Sequence, residues 1–340
     1  RTRAVAGASP PPPPPPTSWC DSAAAPSGTP SLEVPSNLTV RDSIVFNSGI
    51  TDTLNMAVFP GGGASQHTML AYSSFSGSRL GIWLQLVRTS AATGAVELLT
   101  DKQLTSTTGS LGAGVLALDT DTFVAFWWVN GAPSRAVGRF DPDTHVVSMG
   151  ATYTTGSYAS RFRVTATKYA AVLRSGSDVS VVLCEVDPGA LSETCGSASV
   201  LTSSYSSTLC VAQLSDQHIV VVYQNTLGAG ESVLANISCD GDVAVSAARS
   251  VSNYVVAGYN SRSCVGMAPT MLLWTAQDRY VYIPFYVLSR VESSATHIKP
   301  DASMARPDAQ SVEAESAGCV RHVDRSGGAF DAVAHVGQVD

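Results

Sequence analysis

A repeated pattern of short apolar segments runs along the chain from about residue 55. The segments VLALDTDTFVAFWWVNG (115–131) and VAQLSDQHIVVVYQNTLG (211–228) share one order: a short strand ending in leucine, a polar turn, and a strand of β-branched and aromatic residues. A third strand, an Asp-containing turn and a fourth strand then follow. Four strands in a unit of 48 to 58 residues is typical of a β-propeller blade. The units start near Met56, Gly114, Phe162, Cys210 and Cys264.

The two ends of the repeat region predict how a ring of such units closes. The last unit, from Cys264, has three recognisable strands before its pattern stops near residue 292, and LTVRDSIVFNSG (38–49) has fourth-strand character. We therefore predict an all-β, five-bladed β-propeller over 38–292 whose N-terminal strand completes the last blade, because this closure removes exposed sheet edges. A proline-rich arm (1–37) precedes it, and a C-terminal β extension for docking or assembly (293–340) follows. A β-sandwich with the same strand rhythm is the alternative fold.

The seven cysteines indicate disulfide bonds rather than a metal site. They form no C-x-x-C motif, and no cysteine or histidine spacing matches a zinc site. In VVLCEVDPGALSETC (181–195) a turn around Gly189 sets Cys184 opposite Cys195, at a separation that a disulfide can bridge. Cys210 and Cys264 occupy matching positions in their units and are a second possible pair. Disulfides predict a secreted, extracellular protein.

Two N-glycosylation motifs agree with that compartment. Asn37 lies in NLT and Asn236 in NIS, and Asn236 is close to a predicted hairpin turn. The sequence therefore predicts covalent glycans at both asparagines.

Charge and hydropathy exclude two classes of partner. The formal net charge is −7 without any basic cluster, which argues against a nucleic-acid partner. No run of 18 or more apolar residues exists, so we expect no membrane span.

The predicted inner strands carry little that could do chemistry. Some propellers hydrolyse glycosides with carboxylates on these strands, but here the only acid is Asp119 at a strand end. The six histidines are scattered, and we predict no catalytic residue, cofactor or metal. A glycoside hydrolase and a carbohydrate-binding propeller remain alternatives. The aromatic residues that recur loosely between units are expected to pack between blades, with glycan binding as the other possibility: Trp83, Trp127, Trp128, Tyr223 and Trp274.

The tract SPPPPPPPTSWC (9–20) is the second unusual feature of the chain. Consecutive prolines form a stiff polyproline II rod with exposed carbonyl groups. The tract, within residues 8–17, resembles those of hydroxyproline-rich extracellular glycoproteins of green algae and plants, the pherophorins and extensins. The repeats look like those of uncharacterised secreted proteins. The first resemblance implies hydroxylation and O-glycosylation of Pro10, Pro11, Pro12, Pro13, Pro14, Pro15 and Pro16, and a place in a wall, matrix or surface fibre.

These observations predict a structural role. We expect a non-catalytic extracellular glycoprotein that joins copies of itself head to tail into a filament through its terminal arms. Contacts between two different surfaces of the same molecule produce such open assemblies, and a strand added to a neighbour's sheet edge would make a strong joint.

Overall fold

A computed structural model gives the architecture of the chain. It describes residues 39–47, 51–61, 64–75, 79–107, 111–154, 158–215, 217–238, 240–251, 254–256, 264–268, 271–278, 284–292, 297–305, 309–316, 319–325 and 332–338, with side chains inside 45–251. These residues form β-strands and turns without a helix, so the predicted all-β class is confirmed.

The described strands form six antiparallel sheets of four or five strands. Strand β1 is Thr39–Asn47, and the first sheet follows as β2–β5 (Thr51–Val58, Ser65–Ser74, Gly81–Ser90, Val96–Thr105). The second sheet is β6–β10 (Leu111–Ala117, Thr122–Val129, Ala132–Phe140, Val147–Met149, Tyr153–Thr154). The third is β11–β15 (Tyr158–Arg163, Lys168–Ser175, Asp178–Asp187, Ser192–Cys195, Ser199–Thr202). The fourth is β16–β20 (Tyr205–Gln213, His218–Asn225, Gly230–Ile237, Val243–Val245, Arg249–Ser250).

The last two sheets contain the C-terminal strands. The fifth is β21–β25 (Tyr254–Val256, Cys264–Ala268, Met271–Asp278, Pro284–Glu292, His297–Ala305). The sixth joins β26–β28 (Ala309–Ser316, Cys319–Arg325, Ala332–Gln338) to β1, in the order β1-β28-β27-β26. Strand β1 pairs antiparallel with β28 from Thr39 opposite Gln338 to Asn47 opposite Ala332.

The inner strands of the six sheets contact one another in a closed circuit. Strand β2 contacts β6, and the contacts continue through β11, β16, β22 and β26 back to β2. Consecutive four-stranded meanders arranged in this way make a propeller-like fold in which the N-terminal strand completes the last sheet.

Six sheets are one more than the five that the sequence predicted. The predicted end of the propeller at residue 292 falls between β24 and β25, which pair along Phe285–Glu292. Pro300 makes the β25 segment look like a loop in the sequence, but β25 is the outermost strand of its sheet, where proline is tolerated. Strand β1 is the outer strand of the last sheet as predicted, but that sheet comes from the segment assigned to a C-terminal extension.

The predicted repeat recurs as a hydrogen bond between equivalent backbone groups. In each of the first four sheets, the residue directly after the inner strand donates its backbone N–H to a carbonyl near the start of the second strand. The acceptor is the residue just before the second strand begins to pair with the inner strand. The donor–acceptor pairs are Phe59–His67 (3.0 Å), Leu118–Thr122 (2.8 Å), Val164–Lys168 (2.9 Å) and Leu214–His218 (2.8 Å). All four donor side chains are buried. The unit starts predicted at Met56, Gly114, Phe162, Cys210 and Cys264 lie in β2, β6, β11, β16 and β22.

The core lies between neighbouring sheets rather than within one of them. Met69 and Leu84 of the first sheet pack in one cluster with Phe123 and Phe140 of the second. The ring of Phe59 joins the two sheets, with its centroid 4.8 Å from that of Phe140. Buried apolar faces on both sides of the first four sheets, whose side chains are described, explain the long β-branched and aromatic runs there.

The close fit inside the second sheet makes Gly112 sensitive to substitution. A Cβ atom on Gly112 would lie 1.7 Å from the Trp128 ring, which belongs to the residue directly opposite. We expect Gly112→Ala to lower the free energy of unfolding by about 1–3 kcal/mol, because overpacking displaces the indole. The matched control is Gly196→Ala, where the nearest atom is the Leu183 carbonyl oxygen at 3.7 Å. Equal urea midpoints for the two variants would contradict this packing.

Candidate functional site

The junction of the second and third sheets contains a buried polar cluster. Arg135 on β8 forms an ion pair with Glu193 on β14, through the guanidinium Nε and the carboxylate Oε1. The Tyr169 hydroxyl on β12 donates to the other carboxylate oxygen at 2.5 Å. The Glu193 side chain is 1% exposed and that of Arg135 is 13% exposed. Two donors on separate strands therefore hold one buried carboxylate, and they connect two sheets.

The electrostatics of this cluster keep the phenol protonated. Burial raises the pKa of Tyr169 far above its ordinary value, and the neighbouring Glu193 charge raises it further. A phenol that stays protonated remains a hydrogen-bond donor to the carboxylate. The three side chains therefore have complementary fixed roles: a cation, an anion and a neutral donor.

A disulfide lies against this cluster. Cys184 and Cys195 are directly opposite each other on β13 and β14 and are bonded, as the sequence predicted. Arg135 Nη2 is 3.2 Å from Cys195 Sγ. The sulfur atoms of these cysteines and a carboxylate oxygen of Glu193 lie within 4.8 Å of one another. Both sulfur atoms form the disulfide, so neither is available as a thiolate ligand for a metal ion. The contacts of Arg135 with Glu193 and Cys195 join the second and third sheets.

Polar side chains on the inner strands also join neighbouring sheets. Asn55 Oδ1 on β2 accepts a hydrogen bond from the Val115 amide on β6 at 2.7 Å. Thr53 Oγ1 accepts from the Ala113 amide at 3.1 Å. Gln213 Nε2 on β16 donates to the Arg163 carbonyl on β11 at 2.6 Å. These hydrogen bonds pair backbone amides and a carbonyl on the open edge of an inner strand, where that strand has no neighbour in its own sheet.

Arg161 extends these contacts from the third sheet to the second. Its guanidinium carbon lies 4.0 Å from the centroid of the Phe126 ring, in a cation–π contact. A Cβ atom on Gly114 would lie 2.2 Å from Arg161 Nη1, so the glycine leaves room for the guanidinium. Arg161 could not be identified from the sequence, because no local spacing relates it to Gly114.

Asp119, the acid at the end of an inner strand, lies in the turn after β6. Its Oδ1 accepts a hydrogen bond from the Thr120 amide at 2.8 Å. Nearby Asp121 pairs with Arg139 through the guanidinium Nη2 at 2.7 Å. Both carboxylates therefore stabilise the turn between two strands.

The recurring aromatic residues are mostly built into the core. Trp127 and Tyr223 are buried, and the Tyr223 hydroxyl donates to Glu231 Oε2 at 2.8 Å. Trp128 is half-buried against Gly112, and half-buried Trp83 donates its Nε1–H to the Leu80 carbonyl. The Trp274 side chain lies outside the described residues. Trp127 and Tyr223 belong to clusters that join neighbouring sheets, as predicted, whereas Trp128 contacts Gly112 of its own sheet.

The predicted modification sites are only partly within the described chain. Asn236 is exposed on β18, two residues before the turn Ser238–Asp242, where a glycan has room. Asn37 and residues Pro10 to Pro16 lie outside the described residues. Cys210 is disulfide-bonded, and the side chain of its predicted partner Cys264 is not among those described, so that pairing stays a prediction.

None of the described segments forms an apolar helix of the length that a bilayer crossing requires.

Comparison with known proteins gives no family and no activity. No family model matches the chain, and no curated protein matches it. Among solved structures, a hypothetical selenium-binding protein from Sulfolobus tokodaii is 9% identical with a TM-score of 0.44, covering 76% of this chain and 67% of that one. TolB from Acinetobacter baumannii is 9% identical with a TM-score of 0.41, covering 76% and 61%. The WD40 domain of SCAP from fission yeast is 11% identical with a TM-score of 0.39, covering 84% and 74%.

Proposed function

We propose that the chain is a non-catalytic extracellular structural glycoprotein, in which a closed six-bladed β-propeller is a rigid head and the proline tract is a glycosylated rod. The observation that carries this proposal is the position of β1. It follows the proline-rich arm directly and pairs with β28, the final strand of the sixth sheet. The proline-rich arm is therefore attached to the head at the outer strand that closes the ring.

The side chains of the described part support a structural role. The carboxylate of Glu193 is bound by Arg135 and Tyr169, and the disulfide beside it suits an oxidising compartment. Exposed Asn236 offers a site for an N-linked glycan on the surface of the head.

In this proposal, molecules assemble into a matrix or filament through the proline-rich arm. The C-terminal strands, which the sequence assigned to docking on a neighbour, pair with β1 of the same chain. Residues 1–37 are then the segment that joins one molecule to the next. A polyproline rod suits this role, because it is stiff and exposes carbonyl groups that accept hydrogen bonds.

The test is glycopeptide mass spectrometry of the protein purified from its source, combined with electron microscopy of the same sample. We expect hydroxylated prolines with O-linked sugars on the peptide holding Pro10–Pro16, an N-linked glycan at Asn236, and rod-linked heads. Removing residues 1–37 should abolish assembly and leave single heads. An unmodified proline tract, or equal assembly without it, would overturn the proposal.

A further inference from the structure

We propose that His67 and His145 together bind a divalent transition-metal ion such as Zn²⁺ or Ni²⁺ at the junction of the first and second sheets. The two histidines are far apart in the sequence, but their imidazole centroids are 6.0 Å apart. His67 lies on β3 of the first sheet, directly opposite Arg88 of β4, and His145 lies in the turn between β8 and β9 of the second sheet. The site would join two neighbouring sheets.

His67 supplies the observation that points to a ligand. Its Nε2 atom is shielded from solvent and has no hydrogen-bond partner. The Phe140 ring packs near the imidazole, with centroids 5.2 Å apart, and cannot satisfy the nitrogen. A buried polar atom without a partner costs free energy, and a metal ion bound to this nitrogen would remove that cost.

The equivalent histidine of the fourth sheet has different surroundings. His218 accepts the same repeated backbone hydrogen bond as His67, from Leu214 in place of Phe59. Its Nδ1 lies 2.9 Å from the Ser215 hydroxyl, a partner within its own turn. His67 differs from its repeat equivalent in having a second histidine ring, that of His145, 6.0 Å away across a sheet junction.

His145 is held in place by a well-ordered turn. Its amide donates to the Asp141 carbonyl at 2.7 Å, and its backbone has the left-handed φ of 61° that histidine adopts more readily than most residues. Asp141 Oδ1 accepts from the amides of Asp143 and Thr144 at 2.8 and 2.9 Å. A ligand held on such a turn needs little reorganisation to bind a metal.

The distance between the two rings is compatible with a shared metal ion. With a metal–nitrogen distance of about 2.0–2.1 Å, two imidazoles on one ion have centroids roughly 5 Å apart in a tetrahedral arrangement and at most roughly 6.5 Å apart in a linear one. The observed 6.0 Å lies between these values, so the rings need to approach by about 1 Å or less to form a tetrahedral site. A metal ion binds an imidazole nitrogen that carries no proton, and His67 Nε2 makes no hydrogen bond that would compete with such a bond. Arg88, the cation opposite His67, is paired with Glu97.

The test is calorimetric titration of the full chain with Zn²⁺ and with Ni²⁺, after treatment with a chelator. We expect one site in the unmodified protein, and a loss of affinity of at least about tenfold in each of His67→Gln and His145→Gln, because each removes one of two ligands. The matched control, His218→Gln, should keep the affinity. Metal should also raise the midpoint of thermal unfolding in the unmodified protein and in the control.

Two results would overturn the metal site. One is the absence of binding in the unmodified protein at millimolar metal. The other is binding that both His67→Gln and His145→Gln retain, which would place the ion elsewhere, for example at His322 and His335, which are opposite each other in β27 and β28. Two independent variants keep the test valid if one of them does not fold.

Discussion

Replacing Glu193 with alanine is expected to lower the free energy of unfolding by about 3–5 kcal/mol, because it leaves the Arg135 charge buried without its partner. Arg135 is 13% exposed and Glu193 is 1% exposed, so water cannot replace the lost carboxylate. Tyr169 would lose its acceptor as well. The measurement is urea unfolding of the variant and the unmodified protein under oxidising conditions, so that the adjacent disulfide stays intact.

Two further variants separate the loss of an ion pair from general damage. Glu97→Ala removes an exposed partner of Arg88 and should cost less than about 1 kcal/mol. Replacing both members of the buried pair with apolar residues, Arg135→Met with Glu193→Leu, should restore much of the lost stability, because no unpaired charge remains. A Glu193→Ala protein as stable as Glu97→Ala would contradict the buried pair.

Removing strand β1 is expected to have the largest effect of all. A chain that begins at residue 51 exposes the edge of β28, and such an edge pairs readily with other chains. It also loses Phe46, which is 3% exposed and lies 5.0 Å from the Tyr72 ring, centroid to centroid. We expect self-association and loss of a cooperative unfolding transition, measured by light scattering and by thermal unfolding.

The matched control for this deletion is a chain that begins at residue 38, which keeps β1 and lacks the arm. It should unfold cooperatively, as the full chain does. A single substitution, Phe46→Ala, should cost about 3–5 kcal/mol, since it empties a buried aromatic site. Equal stability of the chains that begin at 38 and at 51 would show that β1 does not complete the fold.

Local patterns were enough to predict much of the fold. Alternating and continuous apolar runs indicate strands, and Asp- or Gly-containing turns separate them, so the unit starts at Gly114 and Phe162 lie in inner strands as predicted. The Cys184–Cys195 pair could be found because both residues lie on one hairpin, symmetrically about its turn. Such inferences need only neighbouring residues and the geometry of a strand.

The sixth sheet could not be predicted in the same way. Pro300 and the polar residues around it, in the outer strand β25 of the fifth sheet, indicate a loop, although an outer strand tolerates both because one of its edges is unpaired. The segment after residue 292 therefore resembles an extension in the sequence, not the end of one sheet and the start of another. The pairing of β1 with β28 joins the two ends of the described chain, and no local pattern specifies such a contact.

The side-chain clusters depend on contacts between different sheets. Arg135 and Glu193 are 58 residues apart, and Asn55 binds an amide 60 residues away. His67 and His145 are likewise brought together by the packing of two sheets. Spacing rules for catalytic and metal sites act within one element or turn, so none of these three contacts was visible in the sequence.

The most direct test of a closed head is the double substitution Val45→Cys with Val333→Cys, at positions that are directly opposite each other on β1 and β28. Opposed positions on antiparallel strands lie within the Cα separation of a disulfide. The control combines Val45→Cys with Leu227→Cys, in which the second position is exposed in the turn between β17 and β18. After oxidation, peptide mapping of the monomer should show a disulfide joining the two introduced cysteines in the first variant and none joining them in the control. Absence of that link in the first variant, or its formation only between two chains, would contradict closure of the ring by its own N-terminal strand.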